Sequence, residues 1–317
     1  MNNFLVYIGI IAQLTGLTLP QILADDFYLL SKYSVDNSVQ LEARLKSQDL
    51  PTTQTTKIPR AVNLSWGPEN VLAKAAMVMD ADTGQILWEK NSQQTYPIAS
   101  LTKLMTALVF LENNPGWDKT RAITASENSL SGAKLQIDND QQLTTAELLR
   151  VTLVGSANNT AQALARSTGL SDEAFVAAMN EKAKILGLST AIFTEPTGLD
   201  VGNQASASDL ATIFRTDIQQ KTLLEVMSKK EHSMLVPPDN HEHTVKTTVK
   251  LINDPDVKVL AGKTGFTYEA GYCLVTLAEN DSGNKIIVVD LGLDSEATRD
   301  SENKKLINWT FENYLWE

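Results

Sequence analysis

Apolar residues follow two rhythms along this chain. Over residues 73–91, AKAAMVMDADTGQILWEKN, two short apolar runs flank the polar DADTGQ, the pattern of a β-hairpin whose Gly84 supplies the positive φ of a tight turn. A helical rhythm follows, with Leu101, Leu104, Met105 and Leu108 in one segment. A second carries Leu148, Leu149 and Leu153 behind the capping-box pattern Thr144 to Glu147. DEAFVAAMNEKAKILGL predicts another helix. From residue 257 the rhythm returns to strands, VKVLAGKTGFT, AGYCLVTLAEN and KIIVVDLGL, with DSGN as the turn between the last two and SENKKLINWTFENYLW as a closing helix. Strands at both ends with helices between predict an α+β fold, an antiparallel sheet packed by helices, rather than a βαβ series.

The N-terminal part reads differently. Residues 4–19, FLVYIGIIAQLTGLTL, lead into PQILADD, so residues 1–24 read as an export signal with Ala24 before its cleavage site, or as an uncleaved membrane anchor. Residues 25–70 read as an extension and linker, with PTTQTTKIP at 51–59 as its linker-like part, and a catalytic domain is placed at 71–317.

Composition then narrows the chemistry. The 317 residues are 43% hydrophobic, enough for one substantial core. Lysine and arginine number 27 against 38 acidic residues, a net charge of -11 with no basic block, which argues against nucleic acid as a partner. Cys273 is the only cysteine, so no intrachain disulfide exists, and its apolar setting GYCLVTLA predicts a buried strand residue. His232, His241 and His243 lack the spacing of a helical zinc site and read as loop residues, so no metal or cofactor is expected.

A serine one turn ahead of a lysine, PIASLTKLMTALVF, raises the question of a nucleophile. S-x-x-K occurs at Ser100, Ser131, Ser282 and Ser301, so the pattern alone decides nothing. Only Ser100 opens a strongly apolar helical repeat, where Lys103 shares its face and the positive helix end favours an oxyanion. A serine hydroxyl needs a base, and a lysine serves only with a depressed pKa, which burial and a second cation such as Lys263 would supply. VGSANNTA, 154–161, breaks an apolar helix and would project Ser156 and Asn158 into a cleft. GKTGFT follows an apolar strand; Gly262 and Gly265 would leave room for a peptide along the strand edge, while Lys263 and Thr264 would hold a carboxylate. S-x-x-K, S-x-N and K-T-G in this order form the set of penicillin-binding proteins and class A β-lactamases.

With MDADTGQILWEKN, PIASLTKLMTAL, FVAAMNEKAKILGL, PTGLD and GKTGFTYEAGYCLV, the chain from about residue 72 resembles the serine D-alanyl-D-alanine carboxypeptidases, the low-molecular-weight penicillin-binding proteins. The resemblance implies a β-lactamase/transpeptidase-like fold with a mainly helical subdomain. It also implies an acyl-enzyme on Ser100 formed with the D-Ala-D-Ala end of a peptidoglycan stem peptide, β-lactams as inhibitors and no cofactor, and with the N-terminal segment it fits export to the periplasm or the outer face of the cytoplasmic membrane. By motif match, Lys103 would be the base, Ser156 the proton relay to the leaving amine, and Asn158 the ligand of the substrate amide. Lys263 and Thr264, within Lys263–Thr264–Gly265, would hold the terminal carboxylate, with Arg299 near it. The amides of Ser100 and Phe266 would form the oxyanion hole.

Two departures bear on substrate. The loop reads SANN where the family more often has S-G-N-D, and Phe266 stands where well-known carboxypeptidases carry histidine. Three alternatives stay open: a D,D-endopeptidase of the same family, a β-lactamase with Glu195 of TEPTGLD as its water activator, and a non-catalytic wall-binding protein.

Overall fold

In the computed structural model, residues 57–62, 67, 68, 70–238 and 240–317 are described. The segment 1–24 and most of the extension 25–70 lie outside them. The chain runs through β1 (Pro59–Ala61), β2 (Ala75–Asp80), β3 (Ile86–Lys90), β4 (Tyr96–Pro97), α1 (Thr102–Glu112), β5 (Thr120–Ala122), α2 (Ala125–Asn128) and β6 (Gln142–Thr144). Helices α3 (Thr145–Val154), α4 (Asn158–Ser167) and α5 (Asp172–Ile185) follow, then β7 (Gln204–Ala205), α6 (Ala207–Gln219) and α7 (Lys221–Met227). The remainder is β8 (Glu231–Val236), β9 (His241–Lys246), β10 (Val259–Thr267), β11 (Gly271–Glu279), β12 (Lys285–Leu293), α8 (Glu296–Asn313) and β13 (Tyr314–Trp316).

The central sheet is antiparallel, in the order β10–β11–β12–β2–β3. Because side chains alternate along a strand, Met77, Met79, Ile287 and Val289 enter one core while Ala76, Val78, Ile286 and Val288 enter the other. Helix α8 covers the second face through Leu306 and Ile307. The first face carries the larger core, which extends through α1, α3, α4 and α6. Both faces are therefore dry, which is why β2 reads as a continuous apolar run. The expected α+β layout, an antiparallel sheet packed by helices with a mainly helical part, is the observed one.

Helix α1, the strongly apolar repeat, is buried on every face. Every residue from Thr102 to Phe110 is buried, because the helix is enclosed between sheet and helical layer rather than lying on the surface. Its threonines find backbone acceptors: Thr102 Oγ1 donates to Ala99 O at 2.8 Å and Thr106 Oγ1 to Pro196 O at 2.7 Å.

Other expectations need correcting. The three histidines lie on the β8–β9 hairpin, not in a loop: His232 on β8, His241 and His243 on β9. His232 Nε2 contacts Glu147 Oε2, and Glu147 also binds Arg150 at 2.6 Å. Thr144 does accept from Glu147 N, but the Glu147 carboxylate turns to these partners, leaving the capping box half made. The last helix begins at Glu296, capped by Ser295, so Ser301 lies inside it rather than at its start. It ends at Asn313, and Tyr314–Trp316 pair as a strand with Pro59–Ala61, residues expected in the linker.

Candidate active site

Three chain segments meet on the helical side of β10. The first is a tight 3-10 turn, Ala99–Leu101, that feeds α1 and holds Ser100 half-buried at the cleft. Ala99 is left-handed at φ 47°, which turns the chain sharply just before the serine. The second is the break between α3 and α4, where Ser156 is left-handed at φ 58° and Asn158 is the first residue of α4 rather than a loop residue. The third is β10, the edge strand that carries Lys263, Thr264, Gly265 and Phe266.

Glycine is required where these segments touch. A Cβ on Gly265 would lie 2.8 Å from Ile98 O and 3.3 Å from Leu101 N, so only glycine lets β10 run beside the Ser100 turn. A Cβ on Gly262 would meet Val275 O at 2.7 Å. These glycines serve close contacts within the protein.

Lys103 is fully buried, and its Nζ lies 2.8 Å from Ser100 Oγ, 2.7 Å from Asn158 Oδ1 and 2.6 Å from Thr197 O. Burial brings its pKa from 10.5 down to about 7, against the opposing charge of Glu195. Two of the three neighbours are acceptors only. A neutral amine that donates its two hydrogens to Thr197 O and Asn158 Oδ1 aims its lone pair at the Ser100 hydroxyl.

Lys263 is also fully buried and donates to Ser156 Oγ at 2.7 Å and to Thr264 O at 2.9 Å. Burial first, then the charges of Lys103 and Arg299, hold it well below the usual lysine range. The cation expected to depress Lys103 is thus itself depressed, and desolvation is what brings Lys103 near neutrality. Because Ser156 Oγ accepts from Lys263, its own proton is free to point into the cleft.

The cleft walls are tied to the same residues. Asn158 Nδ2 donates to Ser131 O at 2.7 Å, leaving its second hydrogen available. Asn159 clamps Leu135 through both its backbone N–H, at 3.1 Å, and its carbonyl, at 2.9 Å. An aspartate there could accept the first bond but not donate the second, so the SANN variant keeps the wall loop anchored by a neutral side chain. Thr264 Oγ1 donates to Thr248 Oγ1 at 2.6 Å. Phe266 is 44% exposed and stacks on Tyr272 with ring centroids 4.3 Å apart; Tyr268, 94% exposed, meets it edge-on at 5.7 Å.

Arg299 lies in the first turn of α8, not ahead of it. Its guanidinium is buried against Asp300, at 2.7 Å and 2.9 Å, and Glu296, at 3.3 Å, so it reaches Lys263 as positive potential. Cys273 is buried on β11 as expected, and burial raises its thiol to about 11. Among the described residues no cluster of His, Cys, Asp or Glu could hold a metal ion, and no helix is long and apolar enough to cross a membrane.

A family profile described as D-alanyl-D-alanine carboxypeptidase, peptidase family S11, matches residues 62–295. The D-alanyl-D-alanine endopeptidase of Pseudomonas aeruginosa is 34% identical over 224 residues, covering 70% of this chain and 72% of that protein. The D-alanyl-D-alanine carboxypeptidase DacF of Bacillus subtilis is 31% identical over 250 residues, covering 76% of this chain and 63% of that protein. The crystal structure of a D-alanyl-D-alanine carboxypeptidase from Mycobacterium tuberculosis superimposes with a TM-score of 0.71 at 27% identity, covering 80% of this chain and 94% of that one.

Proposed function

Because the chain belongs to the D-alanyl-D-alanine carboxypeptidase family of serine peptidases, we propose that Ser100 is its acylated nucleophile, acting on the D-Ala-D-Ala end of a peptidoglycan stem peptide. Neutral Lys103 takes the Ser100 proton as Oγ attacks the carbonyl carbon of the penultimate D-alanine. The oxyanion that forms is met by the backbone N–H groups of Ser100 and Phe266. Asn158 holds the substrate amide with the hydrogen that Ser131 does not use. Thr264 and Lys263 bind the terminal carboxylate, in a potential that Arg299 makes more positive. Ser156 relays to the leaving amine the proton that Lys103 took, D-alanine departs, and water, giving its proton to the again neutral Lys103, hydrolyses the ester as that proton returns to Ser100 Oγ.

The observation that carries this reading is the surround of Lys103 Nζ, with two pure acceptors and one hydroxyl inside 2.8 Å. That arrangement suits a base and has no purpose in a binding module. Against a β-lactamase stands Glu195: its carboxylate is already engaged by Thr197 N, Gly198 N and Asn203 Nδ2, holding the loop's own backbone rather than being left open for a hydrolytic water.

Endopeptidase action on a cross-link, with the same acylation but a larger leaving amine, is the second reading. It is favoured by the Pseudomonas aeruginosa relative and by the exposed aromatic rim of Phe266, Tyr268 and Tyr272. We take the catalytic unit as 71–317 together with β1, a reading that the pairing of β1 with β13 supports. Residues 1–24 serve export to the periplasm or the outer face of the cytoplasmic membrane, cleaved as a signal or kept as an anchor.

A time course of fluorescent-penicillin labelling tests the reading, with Ser100→Ala as control. The expected result is stable label on the wild type, none on the variant, and D-alanine release from a pentapeptide by the wild type alone. Equal labelling of Ser100→Ala moves the nucleophile elsewhere, and rapid loss of label with drug hydrolysis restores the β-lactamase.

A further inference from the structure

We infer that Glu195 is a positioning residue for acylation: its carboxylate locks two successive peptide planes so that their carbonyls hold Lys103 and Thr106 of α1 in place. The inference rests on Lys103 acting as the base for Ser100.

The geometry is that of a clamp. Glu195 Oε2 accepts from Thr197 N at 2.6 Å, and Oε1 accepts from Gly198 N and from the fully buried Asn203 Nδ2, each at 2.5 Å. A longer contact of 3.4 Å comes from Asp200 N. A trans peptide unit points its N–H and its C=O in opposite directions. The unit whose Gly198 N–H faces Glu195 therefore aims Thr197 O away from it, onto Lys103 Nζ at 2.6 Å. The preceding unit repeats the arrangement, its Thr197 N–H on Glu195 and its Pro196 O on Thr106 Oγ1 at 2.7 Å. Lys103 and Thr106 are three apart, on one face of the helix, so a single carboxylate sets both acceptors that the loop offers to α1.

The consequence for the base is directional. Lys103 aims its lone pair at Ser100 only while both other acceptors keep their places, and Glu195 fixes one of them through a peptide unit whose N–H it polarises. The same loop also abuts the nucleophile, because Gly198, at φ 87°, has no room for a Cβ against Ala99 O. A glutamine at 195 would present only one acceptor oxygen and would turn its own N–H₂ toward a backbone N–H.

The test is the pH profile of fluorescent-penicillin acylation for wild type, Glu195→Gln and Glu195→Asp. It is paired with ¹³C NMR titration of ε-¹³C-labelled lysine in the free proteins, the Lys103 signal being assigned by its loss in Lys103→Arg. For Glu195→Gln we expect a plateau rate at least roughly tenfold lower and an acid limb displaced to lower pH, since the negative charge that favours the ammonium is gone. For Glu195→Asp, which keeps the charge but loses reach, the plateau falls and the limb stays. A lowered plateau with an unmoved limb in Glu195→Gln marks a mere scaffold residue and overturns the inference, as does a wild-type profile. If Glu195→Gln does not fold, wild-type acylation by Glu195→Asp overturns it instead. The NMR titration is independent of turnover. If the wild type itself fails to acylate, the Ser100 reading falls, and an unmoved Lys103 signal in Glu195→Gln then overturns the influence of Glu195 on Lys103 separately.

Discussion

At the scale of single residues, two buried ionisable groups respond to pH in different currencies. As the proposed base, Lys103 works only when neutral, and its pKa near 7 would place the acid limb of acylation there. Penicillin acylation followed from pH 5 to 9 should rise through about 7 and level off; a profile flat down to pH 5 refutes Lys103 as the base. Asp217 instead governs stability. It is fully buried, neither carboxylate oxygen has a partner, and burial raises its pKa well above the carboxylate range. The folded chain keeps the proton that the unfolded chain releases near 3.8, so stability is lost as pH rises through the window between the two values. Asp217→Asn should therefore raise the melting temperature more at pH 8 than at pH 4, and an equal shift at both sinks the assignment. Ser100, Lys103, Ser156, Asn158 and Lys263 were legible because three short motifs stand in suitable settings. Asp217 was legible in principle, since it continues the Leu210, Ile213, Phe214 face of α6, but a lone acid near a helix end reads as surface. The work of Glu195 was not, because its main partners are backbone N–H groups, which leave no mark on side-chain sequence.

At the scale of elements, the 195–203 loop packs closely against the Ser100 turn through Gly198. A Cβ on Gly198 would lie 1.9 Å from Ala99 O, on a backbone at φ 87°. Gly198→Ala should cost more than about 1 kcal/mol and depress acylation. Gly169→Ala, at φ 83° with open space around it, adds strain alone and should leave acylation intact. Thermal melts with labelling rates separate the two, and equal acylation in both variants refutes the close-approach argument. Long strands and helices were readable because they bury a face with a clear period. The β8–β9 hairpin was not: only Met234 and Val236 are buried on its strands, and its Pro237–Pro238 tip reads as loop. The three-residue strands β1 and β13 are too short to show any period at all.

At the scale of the molecule, β1 and β13 clasp the sheet from outside. Trp316 Nε1 donates to Asp80 Oδ2 at 2.6 Å, and Tyr314 Oη donates to Leu87 O, tying the strand after α8 to β2 and β3. Trp316→Ala should lower stability by about 1–3 kcal/mol in urea unfolding while penicillin acylation stays at the wild-type rate, because the clasp lies away from the cleft. A matching loss of acylation would show that the clasp reaches the site.

The reactive groups themselves come from a helical turn, an inter-helix break and a sheet edge, none of which carries chemistry alone. Under the proposed export, an unfolded chain thus travels chemically silent. Its lysines are ordinary ammonium ions and its serine an ordinary alcohol until the helical layer closes on β10. Latency of this kind needs no propeptide or inhibitor, because the act of docking is itself the activation.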